Sequence, residues 1–166
     1  MHTPSFRALI AFTLVTLFGT GAVFSAPKPK KVKGTIDGTI TFSPSVVAPG
    51  VYAIKVECAG ALSTLGRTKA VWEGNASLDA NLAATALAGL GWKLTAADGS
   101  TMQGTLVWQA QNNSLPGSYS VIGTLHLVSG TGRYQGATGS CAIVGTTNVV
   151  TGKVSFRLDG EVLLVK

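Results

Sequence analysis

Acid–base chemistry in this chain would have to come from one histidine and a handful of carboxylates. His126 is the single histidine beyond the N-terminal apolar segment. Its neighbours on the same side of an alternating run include Ser120 and Thr124. A general base needs an orienting partner and a pocket, and the local sequence supplies neither, so His126 reads as a structural or surface residue. The 7 carboxylates, Asp37, Glu57, Glu73, Asp79, Asp98, Asp159 and Glu161, are scattered. Asp98 precedes Gly99 as a turn residue would, and Asp159 and Glu161 flank Gly160 in what reads as a turn or bulge. Nothing in their spacing pairs two of them as glycosidase chemistry requires. There is no Gly-x-Ser-x-Gly elbow, no phosphate loop and no dinucleotide fingerprint. The expectation is no catalytic residue, no cofactor and no metal site.

Binding groups are better represented. The stretch from Gly130 to Gly139, Gly-Thr-Gly-Arg-Tyr-Gln-Gly-Ala-Thr-Gly, sets an Arg-Tyr pair among glycines between two β-like runs. Arg133 can hydrogen-bond carbonyls that such a corner leaves open, or recognise an anion. Tyr134 suits a plug at a barrel end. The three tryptophans, Trp72, Trp92 and Trp108, fall on expected strands, where core packing is the default role of an aromatic. Lining one end of a barrel, they would bind an apolar molecule or a sugar ring. With Arg67 and His126 they complete the candidate ligand-binding set. Cys58 and Cys141 are the only cysteines. In an oxidising compartment an even pair reads as a disulfide, closing a loop that would stabilise the fold by about 4–5 kcal/mol. The alternative is two buried, unpaired thiols.

That compartment follows from the N-terminus. Arg7 is the only charge before a nearly unbroken apolar run from Ala8 to Phe24, followed by Ser25-Ala26-Pro27. A charged start, an apolar middle and a small-residue exit form a secretory signal peptide, assigned to residues 1–25. The product would then be secreted or periplasmic, touching membrane only through the segment it loses. The remainder keeps 12 Lys and Arg against 7 Asp and Glu. Four of these lysines, Lys28, Lys30, Lys31 and Lys33, cluster in residues 26–33, read as a basic Pro/Lys tail. From Gly34 the charges nearly balance, which is not the basic stripe of a nucleic-acid-binding fold.

Residues 34–166 have the length of one domain, and their period is two almost throughout. Thr35–Phe42, Val51–Cys58, Met102–Ala110, Tyr119–Val128, Cys141–Gly145, Lys153–Leu158 and Glu161–Val165 alternate or run apolar, with turns at Asp98-Gly99 and around Asn112–Gly117. Asp79–Gly89 admits a short helix or a turn and strand, and the β surroundings favour the latter. About eight strands imply an all-β fold, a single antiparallel β-barrel with a β-sandwich as the alternative. Glycines within strands (Gly38, Gly74, Gly104, Gly123, Gly145) favour the barrel, because a strongly coiled sheet needs bends.

Three blocks carry a resemblance: Thr64–Thr68, Leu94–Ser100 and Gly130–Gly139. In that order they resemble blocks of a group of secreted bacterial proteins related to the allene oxide cyclase and dirigent type of β-barrel. The resemblance spans roughly residues 60–160. Such relatives often carry His before the Leu-Gly pair, where Thr64 stands in this chain, so no role for that His carries over. The resemblance implies the barrel and no catalytic residue. Two functional classes follow. One is a non-enzymatic exported barrel binding a small apolar ligand or a cell-envelope component. The other is a cyclase or isomerase-like enzyme whose pocket steers a reactive intermediate. A polyanion binder acting through the lysine tail is a third reading. Oligomeric state is not encoded in these features.

Overall fold

The computed structural model describes residues 28–44, 50–78 and 84–164, with side chains at all of these but 78 and 84–89. Residues 1–25, expected to be a signal peptide, lie outside the described residues, as does Asp79. Eight strands follow in order: β1 (Pro29–Pro44), β2 (Val51–Leu62), β3 (Gly66–Leu78), β4 (Ala84–Ala96), β5 (Thr101–Asn112), β6 (Ser118–Gly130), β7 (Thr138–Asn148) and β8 (Lys153–Leu163). Each pairs antiparallel with the next, and β1 pairs with β8, so the sheet closes as a barrel rather than splitting into a sandwich. Closure leaves no free edge at the start and end of the sheet.

Alternation sets the inside and the outside. On β1 Val32, Ile36 and Ile40 are buried while Lys33, Thr35, Asp37 and Thr39 are exposed. On β8 Val154, Phe156, Leu158 and Val162 point inward in the same way. Apolar side chains from all eight strands therefore form a single core in the lumen. The strand glycines permit that curvature. A Cβ on Gly38 would stand 1.9 Å from the Glu57 carbonyl oxygen, and one on Gly104 would stand 1.8 Å from that of His126. Only a residue without a side chain lets the neighbouring backbone approach so closely.

One wall is looser than the rest. β4 and β5 pair only from Gly91↔Thr105 to Thr95↔Thr101. Beyond that, among the described residues, β5 continues through Asn112 bonded to β6 alone, while β4 stays on β3. The cause lies in β4, where the register with β3 shifts between Glu73 and Asn75. A bulge bends its strand, and this one turns β4 away from β5 where their ladder stops.

Several expectations need correction. Residues 26–33 are not a tail up to their end: Pro29–Lys33 open β1, with Lys31 opposite Glu161 and Val32 wholly buried. Lys31 and Lys33 therefore project from the barrel wall. Gly160 makes no turn between two strands; β8 runs through it, and Asp159 and Glu161 share its outer face. Of the ambiguous segment, Ala84–Gly89 is strand and not helix, while residues 79–83 lie outside the described residues. Cys58 and Cys141 are free and buried, not bridged. Cys58 stands on β2 opposite Gly38 of β1, and Cys141 on β7 opposite Gly160 of β8. β1 and β8 stand between them, and the Cys141 sulfur lies beside Gly160 instead of reaching Cys58.

Candidate functional site: the barrel lumen

Binding a small apolar ligand and steering a reactive intermediate would both use the lumen, so its lining bears on both. Every charged side chain among the described residues is exposed, His126 included. Among the described residues, the buried polar ones are Thr68, Ser100 and Thr147. No group of three or more His, Cys, Asp or Glu among the described residues could hold a metal ion. What fills the lumen is aromatic and aliphatic. Trp72 of β3 meets Phe156 of β8 edge-on, with ring centroids 5.1 Å apart. Trp108 of β5 approaches the same ring at 6.5 Å, tilted by 55°.

The three tryptophans differ in how their indole N–H groups are served. Trp92, opposite Trp72 across the β3–β4 ladder, donates from Nε1 to the Thr105 carbonyl at 2.9 Å. That bond ties β4 to β5 where their pairing ends. The Nε1 atoms of Trp72 and Trp108 are buried and meet no acceptor, and Thr147 Oγ1 is likewise buried without a partner. Thr147 extends the inward row Cys141, Ile143, Gly145 towards the end of the barrel where β7 turns into β8. Trp108 lies on the part of β5 that has no β4 partner and is only partly buried.

The opposite end is shut. Leu65, Tyr134 and Ala137 are each at most 2 % exposed there. The chain turns through a short 3-10 segment at Gly132–Tyr134. Gly132 has φ +59°, and a Cβ on it would stand 2.4 Å from Ser100 Oγ, so the corner requires glycine. Arg133 then ties the plug together. Its Nη2 donates to the Leu65 carbonyl at 3.0 Å, and its Nε pairs with Asp98 Oδ2 at 3.1 Å. Its backbone N–H donates to Ser100 Oγ at 3.2 Å, and its guanidinium lies 4.8 Å from the Tyr134 ring centroid. The three sequence blocks thus converge on one residue. Together they close this end of the barrel.

Electrostatics follow the same division. Asp98 is held below its ordinary value, first by the Ser100 backbone N–H that it accepts at 3.0 Å, with Arg133 adding to the effect. Burial pushes the Tyr134 hydroxyl up against the opposing pull of Arg133. Burial also pushes the Cys58 thiol up to about 12 and the Cys141 thiol up to about 11. Neither sulfur is a ready nucleophile, since the thiolate is the reactive form.

The sequence candidates therefore separate. Trp72, Trp92 and Trp108 share the lumen, whereas Arg133 and Tyr134 belong to the plug. His126 stands on the outer face of β6, opposite Thr105 and Ser140. Arg67 is also outside, beside an open groove of about 760 Å³ shared with Lys69, Ala59 and Ala61. Phe156 and Thr147 escaped the sequence reading. Both sit on inward rows that alternation marks, yet Cys141–Gly145 was too short a run to include Thr147, and a lone Phe among apolar neighbours carries no signal of its own.

No family model matches the chain, and no curated protein matches it. Among solved structures, the chain is similar to the pterocarpan synthase dirigent protein PsPTS1, with a TM-score of 0.50 and 13% sequence identity over 86% of this chain and 99% of that one. The likeness is one of fold. The all-β, closed eight-stranded antiparallel barrel expected from the dirigent-like sequence blocks is the architecture of this chain.

Proposed function

We propose that this protein is an exported, non-enzymatic barrel that binds a small apolar molecule in its lumen. The observation that carries this reading is the Trp72–Phe156–Trp108 cluster, set in an interior to which the described residues contribute no charged side chain. Such a surface recognises shape and apolar area, with a few polar atoms fixing orientation. General acid–base or nucleophilic catalysis would need a titratable group within reach of the bound molecule. Trp108, only partly buried, stands on the stretch of β5 that has no β4 partner. Export rests on the N-terminal apolar run and its small-residue exit.

The test is to express the full-length gene in a Gram-negative host, recover the protein outside the cytoplasm, determine its N-terminus and extract it with organic solvent for mass spectrometry. The reading expects an N-terminus near Ser25 or Ala26 and a stoichiometric apolar molecule in the extract. A cytoplasmic, unprocessed and ligand-free product would overturn it. A second reading takes its support from the structural neighbour, which is a synthase. On that reading the lumen would steer a reactive intermediate by confinement alone, and adding the protein to such a reaction would change the product ratio.

A further inference from the structure

An indole N–H can only donate, and a buried donor without an acceptor is costly enough that folded proteins seldom keep one. Trp72 is 1% exposed and still leaves its Nε1 unpartnered, and the buried Nε1 of Trp108 does the same. Both rings pack against Phe156, so the two donors belong to one aromatic cluster. Trp92 shows the alternative on the same sheet, because its Nε1 reaches the Thr105 carbonyl. Thr147 adds a buried hydroxyl without a partner, able to donate or accept.

We propose that Trp72 and Trp108 each offer an indole N–H to an acceptor oxygen of the bound molecule, which makes the ligand class a compact, ring-bearing apolar carbonyl compound rather than a pure hydrocarbon. This rests on the lumen-binding reading above. The aromatic rings supply the apolar contact, and the indole donors supply the polar selectivity. A carbonyl oxygen, with two lone pairs and no proton, matches a site of donors. A ligand whose only polar group is a donor would leave both indoles unserved.

The experiment compares two probes of nearly equal shape, 1-indanone and indane, on the full-length gene product labelled with ¹⁵N-tryptophan. The three tryptophans give three indole N–H resonances, assigned from Trp→Phe variants. The expected result is that 1-indanone moves the Trp72 and Trp108 resonances downfield and leaves that of Trp92 in place. It should bind roughly three- to tenfold more tightly than indane, and Trp72→Phe or Trp108→Phe should narrow that gap. Should either variant fail to fold, Trp92→Phe identifies the Trp92 resonance, and the other two wild-type resonances are then the pair that must move downfield. Equal binding of both probes, with no downfield movement at Trp72 or Trp108, overturns the carbonyl assignment and leaves the apolar lumen standing. If neither probe binds, the lumen reading falls and this inference falls with it.

Discussion

Removing the Arg133 guanidinium would leave the buried Leu65 carbonyl without its side-chain donor and release Asp98 from its partner. Arg133→Ala should therefore lower stability by about 1–3 kcal/mol, measured by urea unfolding. Most of that loss belongs to the carbonyl, because the partly exposed ion pair with Asp98 is worth little by itself. Arg133→Lys keeps the charge but cannot serve both partners in a fork, and it should fall between the two. Asp98 adds a pH dependence of known sign. Its folded-state pKa is depressed, so its contribution is present above the ordinary carboxylate value and is lost as the pH falls through the lowered one. Asp98→Asn should flatten that acid limb of a stability–pH curve. The cysteines give a third residue-scale outcome. Since burial holds the thiols at about 12 and about 11, a thiol reagent at pH 8 should label neither in the native protein and both in denaturant. A non-reducing mass measurement should show two free thiols. The spacing of Cys58 and Cys141 could not reveal this, because both face inward and only the strand order separates them.

At the scale of the strand, the glycines divide by which side of the sheet they face. Gly104→Ala would drive a methyl group into the His126 carbonyl, with a gap of 1.8 Å before relaxation. It should destabilise the barrel by about 1–3 kcal/mol or more. Gly91 has nothing within 4 Å of its would-be Cβ. Gly91→Ala should change stability by less than about 1 kcal/mol, with a gain more expected than a loss. Thermal unfolding of the two variants side by side separates them. Strand glycines as a marker of curvature were legible in the sequence, as were the period of two and the turns at Asp98-Gly99 and Asn112–Gly117. The strand limits were harder to read. Lys-rich Pro29–Lys33 looks like a solvated tail because lysines at both parities leave only Val32 to mark the inward face. Gly160 looks like a turn because an inward glycine between two outward acids has the composition of one. The divergence of β4 from β5 depends on a bulge, which no local pattern in Ala84–Ala96 announces.

For the whole molecule, closure by β1 and β8 gives the chain an inside with no charge among the described residues and an outside that carries all of them. The resemblance blocks announced the barrel, but they converge on its plug and are silent about its lumen. The lumen was legible only as three tryptophans on expected strands. That two of them keep unserved donors around Phe156 is a tertiary fact, since it depends on which carbonyls each ring can reach. The outer wall offers a competing surface, because Val107, Ile122 and Val144 are more than half exposed on β5, β6 and β7. The most direct test of the lumen account is therefore where a bound apolar probe touches the protein. Nuclear Overhauser contacts from 1-indanone should reach the inward methyl groups of Val56, which faces Trp72 across the β2–β3 ladder, and of Ile143. Contacts confined to Val107, Ile122 and Val144 would place the molecule on the outside of the barrel and contradict the account.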